Sequence, residues 1–394
     1  MVRWFAIARG HLSVRGRMAA HEDPVDEGSR GRTQPQKQGD PAMSEDIGFG
    51  FVGAGEIAVA SASALRGVAG AHLVRATDAR QDLAVSLTDA YGGQPAGSLD
   101  ELLADPSVRA VYICTPHALH RQQAEQAARA GKQVFIEKPM GVSPDEAWAI
   151  VEVCRRHGVA CGVPFVARYA PAYREAKQLM QAGAIGEVTG FRSVYRGDKP
   201  RSYWSGGYSG RATGDWRQHW LTAGGGVLLM NSIHDLDALL WMTGLEVEWV
   251  RGSYRNAGSP GEVEDVGLAI LSCVGDALGS IEAHAALPGG DGPGRAWPNR
   301  VYGSTGQIAL PSPWGSGNLA LFTRQEGAWR EITPEQPSDA RREAFAGFVG
   351  AVATGCEPPV PGEAGARAAS IIHAIYESAR RDAMVAPATT TPTR

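Results

Sequence analysis

Residues 47–58, IGFGFVGAGEIA, carry an apolar run straight into a glycine-rich turn and out into a helical stretch. The turn fits G-x-G-x-x-A, with Gly53, Ala54, Gly55, Glu56, Ile57 and Ala58 in its places. With a strand before it and a helix after it, this pattern restricts the fold more than any other in the chain. Gly53 permits the tight turn. Gly55 lets backbone approach a pyrophosphate with no side chain between, and Ala58 lets the helix pack close to the strand. The helix N-terminus then offers unpaired N–H groups to phosphate charge. Ala54, Glu56 and Ile57 share the turn and are candidate contacts of the same cofactor. Asp78 lies 20 residues after Ala58, at the end of a second apolar run, AHLVRATD. A carboxylate there can accept from both ribose hydroxyls and would repel a 2′-phosphate, which favours NAD. Arg80 could pair with that phosphate and keeps NADP open. A cap on the following helix is the other use for Asp78.

Further apolar runs, VRAVYICTP, KQVFIEKP and VACGVPFV, alternate with helical stretches such as LHRQQAEQAARAG. Alternating strands and helices imply an α/β fold with a doubly wound parallel sheet. PAYREAKQLMQAGAIG predicts a helix that starts at Pro171 and stops at Gly183 or Gly186. Beyond about residue 187, EVTGFRSVYRG, EVEWVRGSYR, DVGLAILSCVG, LGSIEAHAAL and NRVYGSTGQIAL read as strands of one large open, mostly antiparallel sheet. The helix GVLLMNSIHDLDALLWMTG interrupts them, and a last helix covers about Ala364 to Arg380. The expected division is a disordered tail over 1–45, a Rossmann domain over 46–166, an α+β substrate and oligomerisation domain over 167–384, and a tail over 385–394. The first 42 residues read as loose chain or as sequence upstream of a start at Met43, with an organelle transit peptide as the other reading. Four arginines occur in the first twenty, but no apolar core of a secretory signal follows them.

Composition removes several classes of function. No apolar stretch reaches the roughly 18 residues of a membrane span. With 38 basic and 42 acidic residues, a net charge of −4 provides no large basic field for nucleic acid. The five cysteines are scattered without a CxxC pair, so neither a disulfide framework nor a thiolate zinc site is expected, and a reducing cytoplasm is. No metal is assigned.

Glu137-Lys138-Pro139 ends the strand KQVFIEKP, at the sheet edge where open α/β folds bind ligands. A lysine at that rim can donate to a substrate oxygen and steady alkoxide character, and Pro139 can turn the chain through a cis bond. Thr115 and Pro116 end another strand, so His117 and His120 overlook the same rim. His234 follows the glycines at 224–226, which would let backbone pass close to cofactor or substrate. Asn231 and Asp237 lie three residues to either side, and either could orient the imidazole toward proton exchange. The segment from Gly197 to Trp220 concentrates tryptophan, tyrosine and arginine. It suits sugar rings and acidic groups, with Trp216 and Arg217 as candidates, or else forms an interface loop.

Taken together, GFVGAGEIA, CTPHALH, AGKQVFIEKP, ARYAPAY, GDWR, AGGGVLL with IHDLDALLW, and YGSTG resemble the glucose–fructose oxidoreductase/inositol dehydrogenase/MocA family from Ile47 to about Ala383. The resemblance implies NAD(P)-dependent oxidation or reduction of a sugar, cyclitol or related polyol by a homodimer or homotetramer. It implies Lys138 as the catalytic lysine, His234 as the active-site histidine, and Gly53, Gly55, Asp78 and Arg168 as binding residues. Many members place Asp four residues before the histidine; here that residue is Met230, which cannot relay a proton. Two other readings stand beside this one: NAD-dependent glycoside hydrolysis of the same family, and a non-catalytic cofactor-binding regulator.

Overall fold

The computed structural model describes residues 46–211, 213–289, 297–314, 317–335 and 339–389. The expectations for 1–45 and for 390–394 lie outside those residues. Six parallel strands form the first sheet: β1 (Ile47–Val52), β2 (Ala71–Thr77), β3 (Gln94–Pro95), β4 (Ala110–Ile113), β5 (Gln133–Ile136) and β6 (Cys161–Gly162). Their order is β3-β2-β1-β4-β5-β6. Every residue of β1 is buried, as a central strand covered by helices on both faces requires. The winding reverses between β1 and β4, which opens a crevice at the carboxyl ends of those two strands. Ser98 and Ser143 start two of the connecting helices by accepting from the N–H groups of Glu101 and Glu146.

The second sheet has eight strands: β7 (Val188–Arg196), β8 (Val247–Arg255), β9 (Val266–Cys273), β10 (Leu278–His284), β11 (Asn299–Gly303), β12 (Gly306–Leu310), β13 (Leu319–Thr323) and β14 (Trp329–Ile332). They are ordered β14-β13-β12-β11-β7-β10-β9-β8, and only β7 and β10 run parallel. One face is buried through Ala269, Leu271 and Ile281; on the other, Leu268 and Ile270 stay half exposed. The helix over Ile233–Thr243 is preceded by a π-helical turn at Leu228–Ser232 and ends at Gly244, whose φ is 71°.

The sequence reading did not anticipate the helix Ala340–Thr354. Asp339 caps it by accepting from the N–H groups of Arg341 and Arg342, and Gly355 closes it in the left-handed region. Phe345 and Phe348 on this helix pack on Phe49 and Phe135, so the chain returns to complete the core of the first sheet. The expected loose tail also differs in its first residues. Val385 exchanges two backbone hydrogen bonds with Val250, and the Ala388 carbonyl accepts from the Trp148 indole at 3.3 Å.

Candidate active site

A cavity of roughly 790 Å³ lies at the β1–β4 crevice and continues toward the second sheet. Gly53 turns the chain at φ 101°, and a Cβ there would stand 2.9 Å from the Cys114 carbonyl oxygen. Both facts demand glycine. The Ala54 N–H donates to Asp78 at 2.7 Å and the Arg80 N–H to its other oxygen at 2.9 Å, so the turn itself aims the carboxylate. Gly53, Gly55, Glu56, Ile57, Asp78 and Arg80 line this end of the cavity, with Thr115 and Pro116 opposite. Ala54 is buried; its N–H is held by Asp78 and its carbonyl accepts from the Arg211 guanidinium at 2.9 Å. The Arg80 guanidinium is paired with Asp82 at 2.7 Å.

At the other end, the Lys138 ammonium donates to the Met230 carbonyl at 2.6 Å, which ties the rim of the first sheet to the helix bearing His234. The Lys138–Pro139 bond is cis. Burial draws the Lys138 ammonium down to about 8; Arg341 and Arg217 push the same way, and Glu137 opposes them. Glu137 is itself anchored. It accepts from the Tyr112 hydroxyl at 2.5 Å, from Arg341 at 3.0 Å, and from the Lys138 N–H at 3.2 Å.

His234 lines the cavity between the rings of Trp314 and Phe165, at 4.7 and 5.8 Å. Burial, then the charges of Lys138, Arg341 and Lys199, hold it well below the ordinary histidine range, so the imidazole is neutral near pH 7. Its Nδ1 has no hydrogen-bond partner. Asp237 does not orient it: both Asp237 oxygens are taken by Arg168, at 2.7 and 2.6 Å. Asn231 lines the cavity near the Tyr203 hydroxyl. Trp216 and Arg217 line it as well, with the guanidinium stacked 4.4 Å over the indole.

Three expectations are corrected. Arg168 does not line the cavity, because its fork is held by Asp237 and its guanidinium sits 5.9 Å from the Trp241 ring. His120 does not either; it is buried with its ring nitrogens each 2.9 Å from a carbonyl, those of Pro139 and Thr115, and cross-links two rim loops. The glycines at 224–226 approach protein rather than ligand. A Cβ on Gly224 would meet the Val142 backbone at 2.7 Å, on Gly225 the Tyr376 hydroxyl at 2.3 Å, and on Gly226 the Glu264 carbonyl oxygen at 1.8 Å. The Glu264 carboxyl accepts from the Gly226 and Leu228 N–H groups at 2.5 and 2.9 Å and so starts the His234-bearing helical segment.

Residues 47–165 match the oxidoreductase family with NAD-binding Rossmann fold, and residues 173–309 match the GFO/IDH/MocA C-terminal domain. The chain belongs to the GFO/IDH/MocA family. It is 33% identical over 195 residues to scyllo-inositol 2-dehydrogenase (NAD(+)) of Bacillus subtilis (strain 168), and the match spans 48% of this chain and 52% of that one. Over 341 residues it is 26% identical to myo-inositol 2-dehydrogenase of Thermotoga maritima, covering 84% and 95%. Among solved structures, levoglucosan dehydrogenase in complex with NADH superposes with a TM-score of 0.77 at 22% identity, over 87% of this chain and 99% of that one.

As a GFO/IDH/MocA protein the chain is an NAD-binding oxidoreductase, and its own residues fit the cofactor. The Gly53 turn leaves no room for a side chain, and Asp78 faces the cavity beside it. Lys199, Trp314 and Arg341 are among the lining residues that the sequence did not single out. Lys199 stood inside the flagged aromatic segment. Arg341 was marked only by a capping Asp339 ahead of an apolar-periodic run, a signal that went unread. Among the described residues no group of three His, Cys, Asp or Glu side chains could hold a metal ion, and no helix is long and apolar enough to cross a membrane.

Proposed function

We propose that this protein oxidises or reduces a carbinol or carbonyl carbon of a sugar, cyclitol or related polyol, with NAD as its redox partner. The observation that carries the reading is the Lys138 ammonium in a cavity whose far end is the glycine turn with Asp78. When bound, nicotinamide accepts or supplies the hydride. Lys138 holds the proton at Nζ; drawn down to about 8, it can take that proton from a hydroxyl or return it to a carbonyl oxygen near neutral pH. The neutral His234 offers a hydrogen bond to the same oxygen or its neighbour. Met230 gives no carboxylate to relay a proton through His234, which favours Lys138 as the group that titrates. Asp78 selects the ribose hydroxyls, and because Arg80 is already paired with Asp82, NAD is the better fit than NADP.

The half-exposed Leu268 and Ile270, with Leu278 at 61%, form an apolar patch on the outer face of the second sheet. Such a face supports a homodimer or homotetramer built sheet to sheet. Five free cysteines fit a reducing cytoplasm. Incubation of the purified protein with NAD or NADP and a panel of polyols, read at the NADH absorbance band, tests the reaction. Growth of the band with at least one polyol is expected. Sugar release without net NADH would transfer the reading to transient-oxidation hydrolysis, and neither signal would leave only cofactor binding.

A further inference from the structure

The cavity changes sign along its length. Acids, Asp78 and Glu56, stand at the glycine turn; beyond Lys138 the wall carries Lys199 and Arg217. Among the described residues neither of these two cations is in a salt bridge with a carboxylate. Lys199 leaves the end of β7, and its own N–H is fixed to the Ala285 carbonyl just past β10 at 2.7 Å, so its origin is rigid. Its ammonium donates to the Tyr208 hydroxyl and lies 4.5, 4.9 and 5.6 Å from the rings of Tyr203, Tyr208 and Tyr195. Arg217 approaches the same Tyr203 ring at 5.3 Å. Ring faces attract a cation but do not neutralise it. The carboxylate that acts on Lys199, Glu56, is engaged by the N–H groups of Tyr208 and Ser209, whereas Lys138 and Arg217 both repel it. Glu137 answers Lys138 and Glu56 acts on Lys199 from the glycine turn, but among the described residues neither carboxylate is bonded to Lys199 or Arg217, so these two cations face the cavity with no acid engaged to them.

We infer that the substrate itself carries the counter-charge: an anionic group on the sugar, carboxylate or phosphate, bound by Lys199 and Arg217 while the reacting carbinol lies at Lys138. This inference rests on the sugar or polyol reading and narrows it to acidic sugars. The test is calorimetry on the protein saturated with NADH, where an alcohol substrate forms a complex that cannot react. Myo-inositol and glucose serve as neutral probes, glucuronate as the carboxylate and glucose 6-phosphate as the phosphate. One of the two anions is expected to bind at least about tenfold tighter than either neutral probe, the gain typical of a hydrogen bond to a charged group, and which one binds identifies the anion. Lys199→Gln should erase that difference and Lys199→Arg should retain it, with NADH affinity the same in all three proteins.

Neutral probes that bind as tightly as both anions in the unmodified protein would overturn the inference without any variant. An equal loss of NADH affinity in Lys199→Gln would also overturn it and assign the cation to the cofactor phosphates. NADH formation from neutral sugars alone counts against this inference and leaves the proposed reaction standing. Absence of NADH formation with every sugar overturns both.

Discussion

The two ends of the cavity are built by different means. At the cofactor end, one carboxylate is aimed by two backbone N–H groups, and the glycine turn and that carboxylate belong to one βαβ unit, with Thr115 and Pro116 after β4 facing them. At the Lys138 end, side chains from six separate stretches converge: the rim after β5, the Lys199 segment after β7, Trp216–Arg217, the His234 helix, Trp314 after β12, and Arg341 from the helix Ala340–Thr354. Main-chain aim tolerates substitution elsewhere, because the backbone is fixed by the sheet. Side-chain aim passes through partners such as Glu137 and Glu264, so loss of a distant partner is felt at the reacting end. The cofactor end should therefore fail by losing affinity, and the other end by losing turnover.

Lys138→Ala is expected to give the largest effect. Turnover should drop by at least about a hundredfold, the usual scale of a lost acid–base group, while NADH affinity by fluorescence titration stays near that of the parent. A matching loss of cofactor affinity would erase the distinction between the ends. Asp78→Ala should do the opposite. Loss of hydrogen bonds to a charged group predicts roughly tenfold weaker NAD binding, a smaller change in kcat, and a narrower preference over NADP.

Arg341→Met sharpens the comparison, because Arg341 acts on the Lys138 end without being a proton donor there. Its guanidinium lowers the Lys138 ammonium and also holds Glu137, which raises it. In the parent, oxidation should speed up as pH rises through about 8, since Lys138 must be free to accept a proton; carbonyl reduction should slow over the same range. Removal of Arg341 should move both limbs to higher pH. A purely structural role would lower the rate at every pH and leave the limbs in place.

The same contrast explains what was legible in the chain. Gly53, Gly55 and Asp78 could be read because their spacing along one βαβ unit is their geometry. Lys138 could be read because it ends a strand at the ligand-binding edge. Where the structure differs, it is mostly through partners far along the chain; His120, held by Thr115 five positions away and by Pro139, is the local exception. Arg168 and Asp237 are 69 positions apart, and only the fold reveals that they satisfy each other. The glycines at 224–226 signalled close approach, but a glycine does not say to what, and the answer was Val142, Tyr376 and Glu264. Lys199 belonged to a segment whose composition was noticed, yet which of its cations would turn inward depends on the anchoring of β7 against β10. The helix that carries Arg341 lies about 200 residues from the Glu137 it holds, as the separation of 204 positions records.

The smallest expected effect comes from Asp235, next to His234 on the helix but bonded to Asn299 of β11. Its Oδ1 accepts from the Asn299 amide at 2.6 Å, and its Oδ2 has no partner. Burial pushes this carboxyl up to about 7, against the downward pull of that hydrogen bond. The unfolded chain releases the same proton near pH 4. The folded state thus binds the proton more tightly, so this contribution to stability is complete below about pH 4 and is lost as pH rises through about 7. Asp235→Asn cannot ionise and escapes that loss. Its melting temperature relative to the parent should climb by a few degrees between pH 5 and 8, whatever its offset at pH 5. Glu264, also pushed to about 7 by burial, remains in the variant, so part of the decline should persist. A relative melting temperature that stays flat with pH would mean that Asp235 is ionised in place, and that the Lys138 end rests on one more buried charge than its neighbours can account for.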